Sequence, residues 1–189
     1  MQEATKPLKS GYIRIFETEN PSNILYQNHN AVCNTSSWLF ARLLANKNEP
    51  LFGIWGLALG SGDPTWPANN QPDALPSQTS LIAPLLRKPL SVAKFVDTNY
   101  NQIAMSNMVD FQTIVNATTD NLLTPIREMG LIGGGTSTTS PVTDMVNAPY
   151  FDPTAPALVN SVVLINYKTL PPLLLPAGVN FTFSTIFCF

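Results

Sequence analysis

Seventeen prolines are spread through these 189 residues, and that scatter constrains the fold more than any other feature. Each proline fixes φ and removes a backbone donor, so long helices are excluded over most of the chain. What remains is strands and loops. Alternation of apolar and polar residues marks the strands. "GYIRIFETEN" alternates after Ile13 and predicts a strand turning at Asn20-Pro21, with "SNILYQNHN" pairing back as a hairpin. "NTSSWLFARLLANKNEP" predicts the one principal helix, capped at Asn34 or Thr35 and stopped by Asn46 and Pro50. "LFGIWGLALGSGDPTWP" reads as a buried strand entering a turn, "PANNQPDALPSQ" as a long loop, and "TSLIAPLLRKPL" as a short helix begun at Thr79 or Ser80 and limited by Pro84 and Pro89.

Further along, "SVAKFVDTNYNQ" and "AMSNMVDFQTIVNATT" predict two strands joined by an Asn-rich turn, with Val109, Phe111, Thr113 and Val115 on the core face. "PIREMGLIGGG" predicts a strand in which Ile126, Glu128 and Gly130 alternate with Arg127, Met129 and Leu131. "LVNSVVLINYKTL" and "NFTFSTIFCF" supply two closing strands, the latter with Phe181, Phe183, Thr185, Phe187 and Phe189 on one face. A strand pair, a helix and then many strands fit a mainly β fold: an antiparallel β-sandwich-like domain spanning 1–189, with one principal α-helix and long loops or arms at 64–78 and 136–157.

Charge is the second constraint. Asp, Glu, Lys and Arg make up only 12% of the chain, against roughly 25% in average soluble domains. A surface so poor in charge predicts coverage by neighbouring subunits; the plain alternative is a surface made polar by Asn, Thr, Ser and Gln. The net charge of −2, with Lys and Arg scattered, predicts no nucleic-acid partner. The start, "MQEATKPLKS", has no apolar h-region, which predicts no secretory signal peptide, and no run of about 18 apolar residues predicts a membrane span. Cys33 and Cys188 have no CxxC spacing; they read as two buried free thiols, while an oxidising compartment would allow them to pair.

No constellation of residues calls for an enzyme or a cofactor. Gly133, Gly134 and Gly135 precede "TSTTSPV", without the lysine and helix of a phosphate loop, and so end a strand in a turn. His29 is the lone histidine, four residues before Cys33, and lacks a nucleophile motif. One histidine and two cysteines make a poor zinc site. Most aspartates lie beside Pro, Asn or Gly, in turns. Asp110 and Glu128 are the exceptions, each in an apolar strand, and form the only carboxylate pair to weigh for glycoside hydrolysis. Arg127 with Glu128 reads instead as a structural or interface ion pair. Trp38 and Trp55 read as core, whereas Trp66 in "GDPTWPANN" sits in a loop and is the candidate partner contact.

The succession "NHNAVCNTSSWLFARLLANKNEPLFGIWGLALGSGDPTWP", "TSLIAPLLRKPL", "TPIREMGLIGGG" and a terminal aromatic strand resembles a group of tailed-bacteriophage virion proteins of the tail, baseplate and fibre-associated kind. In those, a short helix after an Asn-led strand end precedes an apolar "lalGsG"-like strand, a "tsL…L.r" segment, an "iREmGLfgg" strand and a closing strand. The matching pieces span about residues 24–135 and 158–189; "PANNQPDALPSQ" and "TLPPLLLPAG" depart from the pattern. The resemblance implies a non-catalytic structural role in the virion, made in the host cytoplasm, with partners that are other copies of the chain and other virion proteins. Rival expectations are a capsid decoration protein, a receptor or carbohydrate-binding module that uses Trp66 on a host surface glycan, and a glycosidase built on Asp110 and Glu128.

Overall fold

The computed structural model describes residues 11–45, 53–135, 147–151 and 161–188. Eleven strands and one helix follow in order: β1 (Tyr12–Glu17), β2 (Asn20–His29), β3 (Ala31–Val32), α1 (Ser36–Ala45), β4 (Ile54–Gly60), β5 (Pro84–Pro89), β6 (Val92–Phe95), β7 (Met108–Asn116), β8 (Ile126–Gly133), β9 (Val163–Leu164), β10 (Asn166–Leu173) and β11 (Asn180–Cys188). They form two antiparallel sheets, one ordered β2-β1-β11-β7-β6 and the other β3-β10-β8-β4-β5 with β9 also paired to β8. The protein is mainly β and sandwich-like, as its alternating segments predict.

The main core lies between the sheets. Ile13 and Ile15 of β1, Val115 of β7 and Phe181, Phe183 and Phe187 of β11 meet Leu57 and Leu59 of β4 and Met129 and Leu131 of β8, all buried. The predicted inner faces of β7 and β11 are therefore correct over the described residues; Phe189 lies outside them. A second apolar cluster, with Trp55, Ala58, Ile132, Leu164 and Tyr167, joins Cys33, Leu81 and Val162. The second sheet is thus buried on both faces. Lys88 of β5 ties the sheets at one end, its Nζ 2.7 Å from both oxygens of Asp120 in the turn after β7.

Four local expectations are corrected. The β1–β2 turn is at Thr18-Glu19, and Asn20 and Pro21 already belong to β2, where an edge strand tolerates a proline. The segment from Thr79 forms no helix: Pro84 begins strand β5, and Pro84 and Pro89 bracket it at the sheet edge. The segment from Val162 is two strands with Ile165 between them: Ile165 N donates to Leu131 O at 2.9 Å, and the side-chain Oδ1 of Asn166, the first residue of β10, accepts from Leu131 N at 2.6 Å. Trp38 is 48% exposed, so it is not core, whereas Trp55 is buried as expected. Helix α1 forms where predicted, but Thr35 donates its hydroxyl to Leu164 O at 2.8 Å and so fastens the helix start to β9. The arm at 64–78 is an irregular connection, as expected; of 136–157, only 147–151 falls within the described residues.

Candidate functional site

Between β4 and β5 the chain runs from Ser61 to Ala83 with no strand or helix, yet it is held at many points. Gly62 takes a left-handed φ of 64°, and a Cβ there would sit 2.5 Å from Cζ3 of Trp66. Glycine is thus required both by the backbone and by the indole packed on it. The Asp63 carboxylate accepts from Thr65 N at 2.8 Å and Thr65 Oγ1 at 2.7 Å, and Trp66 N donates to Asp63 O at 3.1 Å. This Asx turn sets the direction in which Trp66 leaves the backbone. The Thr65 bonds also hold the Asp63 carboxyl below its usual range.

Strand β8 grips this loop from two sides. Arg127 donates through Nη1 to Asp63 O at 3.2 Å and through Nη2 to the carbonyls of Trp66 and Pro67, with its guanidinium 5.7 Å from the Trp66 ring centroid. Glu128, on the opposite face of the strand and fully buried, accepts from Gly62 N at 3.3 Å, Ile82 N at 3.0 Å, Ala83 N at 2.8 Å and the Tyr167 hydroxyl at 2.8 Å. One carboxylate therefore closes both ends of the loop. Burial and the neighbouring Glu128 push the Tyr167 phenol well up from its ordinary value, so it stays a hydrogen-bond donor. Arg127 and Glu128 are not the ion pair expected of them, since adjacent strand residues project to opposite faces.

Trp66 itself is half-buried and, with Pro67, Asn70, Gln71, Pro72 and Asp73, lines an open groove of about 510 Å³. Gln71 Nε2 donates to Pro67 O at 2.9 Å, and Thr169 of β10 donates to Pro72 O at 2.7 Å, fixing the far wall. The candidate contact residue thus stands on a braced platform at the surface.

A second polar cluster lies on the outer face of the other sheet, where the register aligns His29, Tyr12, Ile186, Asp110 and Lys94 in one row and Gln27, Arg14, Ser184 and Gln112 in the next. Asp110 is buried and accepts from Ser184 Oγ at 2.7 Å and Gln112 Nε2 at 2.6 Å. Burial raises its carboxyl, against the opposing pull of those bonds and of the Lys94 and Arg14 charges. The loop after β6 folds back so that Tyr100, at a left-handed φ of 66°, lies over the Arg14 guanidinium at 4.7 Å and parallel to Tyr12. The charge in "YIRIFE" hints at Arg14, but nothing in the sequence places Tyr100 on it. Asp110 and Glu128 face outward from different sheets with the core between them, so they do not form the carboxylate pair that glycoside hydrolysis needs.

His29 is exposed, edge-on to Tyr12 at 5.3 Å. Cys33 is buried in the second apolar cluster, and burial pushes its thiol up to about 12, which keeps it from acting as a thiolate. Both cysteines are free, Cys33 buried as expected but Cys188 only half-buried at the end of its strand. Among the described residues, no three His, Cys, Asp or Glu side chains converge as metal ligands. Comparison with known proteins finds no matching family model, no similar curated protein and no similar solved structure.

Proposed function

We propose that the chain is a non-enzymatic structural component of a tailed-bacteriophage virion, seated in the tail, the baseplate or a fibre attachment, where it associates with copies of itself and contacts other virion proteins. The resemblance of its ordered segments to tail and baseplate proteins supplies the setting. The observation that carries self-association is the β2 edge. This strand runs ten residues without one Asp, Glu, Lys or Arg, and every residue except Tyr26 is exposed. Ile24 and Leu25 are each 38% exposed at its centre. Natural monomers blunt such edges with charge, proline or bulges. Here Pro21 and the register shifts opposite Phe16 and Glu17 blunt only the first half; from Tyr26 to His29 the pairing with β1 is regular, and among the described residues no strand pairs with the outer side. In this reading the chain needs no cofactor, nucleic acid or membrane.

Capsid decoration uses the same physics at a different position in the particle. Quantitative mass spectrometry of purified virions, scaled to the major capsid protein, separates the two. A few to some tens of copies per particle supports the tail or baseplate, hundreds move the protein to the capsid surface, and absence from particles overturns the proposal.

A further inference from the structure

We propose that the Trp66 groove binds a neutral carbohydrate, with the indole as platform for a pyranose ring and Asn70 and Asp73 as partners for its hydroxyls. The inference rests on the groove alone and is independent of the assembly reading. The polar groups of this loop divide into two sets. Asp63, Thr65, Gln71, Thr169 and Arg127 close bonds that hold the loop in shape. Trp66, Asn70 and Asp73 line the concavity, and the Trp66 Nε1, the Asn70 amide and the Asp73 carboxylate make no hydrogen bond among the described residues. The bonds that shape the loop are made without these three groups.

Their chemistry selects the ligand. A pyranose offers an apolar C–H face and a rim of hydroxyls, each a donor and an acceptor; an indole suits the first, and an amide with a carboxylate suits the second. An anionic sugar is disfavoured, because Asp73 repels it. The two nearby cations do not compensate: Arg127 turns its donors to three backbone carbonyls, and Lys168 already lies within reach of the Asp73 charge. At about 510 Å³ the groove falls within the usual range of small-molecule sites, about 300–1,000 Å³. Bracing matters as much as composition, since a loop that is already ordered loses little entropy on binding.

The test uses the full chain and three named probes, chitotriose, cellotriose and maltotriose, followed by saturation-transfer NMR. At least one probe is expected to bind at a Kd of about 1 mM or tighter. Asn70 and Asp73 are exposed, so Asn70→Ala and Asp73→Ala should leave the melting temperature unchanged while each weakens binding about tenfold, the equivalent of one hydrogen bond to a charged or polar group. Trp66→Ala should abolish it. No transfer from any of the three probes at about 10 mM, or binding that is equal in wild type and the Asn70→Ala/Asp73→Ala double variant, overturns the proposal.

Discussion

Glu128 shows how a single side chain can substitute for secondary structure. Its four hydrogen bonds satisfy three backbone N–H groups that have no sheet or helix partner, and one phenol. Glu128→Gln presents an NH₂ to donors and leaves at least one of them unmet in a buried site; the variant should lose about 2–4 kcal/mol, read by urea unfolding. An unchanged midpoint would mean that the loop ends are held elsewhere. Asp110 makes a contrasting case. Its folded carboxyl is raised above the ordinary 3.8, so the folded state binds that proton more tightly than the unfolded chain. Its contribution to stability is full below the ordinary value and is lost as pH rises through the folded one. Asp110→Asn removes this dependence, and the stability of the variant relative to wild type should therefore rise as pH is taken from below the ordinary carboxylate value of 3.8 up to neutrality. A constant difference across that interval would contradict the assignment. The sequence marks both carboxylates as unusual because each interrupts an apolar strand, but all of their partners except Gln112 lie 39 to 74 positions away, which no local pattern reveals.

At the level of elements, legibility follows the range of the forces involved. Strands β7 and β11 are readable because their own alternation defines the buried face, whereas β8 is buried on both faces and helix α1 forms where predicted but leaves Trp38, Leu43 and Leu44 exposed. Strand β5 is not readable in this way: its apolar "LIAPLL" suits a helix locally, and only the pairing with β4 and the Glu128 anchor on Ile82 and Ala83 choose the extended form. Likewise, the division at Ile165 goes with a side-chain bond from Asn166 to β8 that sequence cannot place. The Trp66 loop was correctly read as irregular, while its bracing by Arg127 depends on a strand 60 residues away. Where periodicity does govern, substitution should have the cost of a packed core. Phe187 is 1% exposed between the sheets and edge-on to Phe111 at 6.1 Å. Phe187→Ala should therefore destabilise by about 3–5 kcal/mol, measured by denaturant unfolding; a loss below about 1 kcal/mol would show that β11 contributes little to the core.

Across the whole molecule, the proposed self-association would extend the first sheet at the uncharged β2, which ends that sheet among the described strands. A lysine at Leu25 would place charge in the middle of that edge without touching the inner core. Leu25→Lys is expected to keep the wild-type melting temperature and to reduce the oligomeric mass seen by size-exclusion chromatography with light scattering; an identical mass would move self-association to another surface. The order of the first sheet carries a further consequence. Strand β11, from the last residues described, lies at its centre and joins the β1–β2 hairpin to the β6–β7 hairpin. While the chain is being made, those hairpins have no common partner in this sheet until Asn180–Cys188 has left the ribosome. Folding of this sheet is thus a late, long-range event of the kind that slows β proteins, and a nascent chain stalled before Asn180 would display two unpaired sheet edges to every neighbouring copy on the same message.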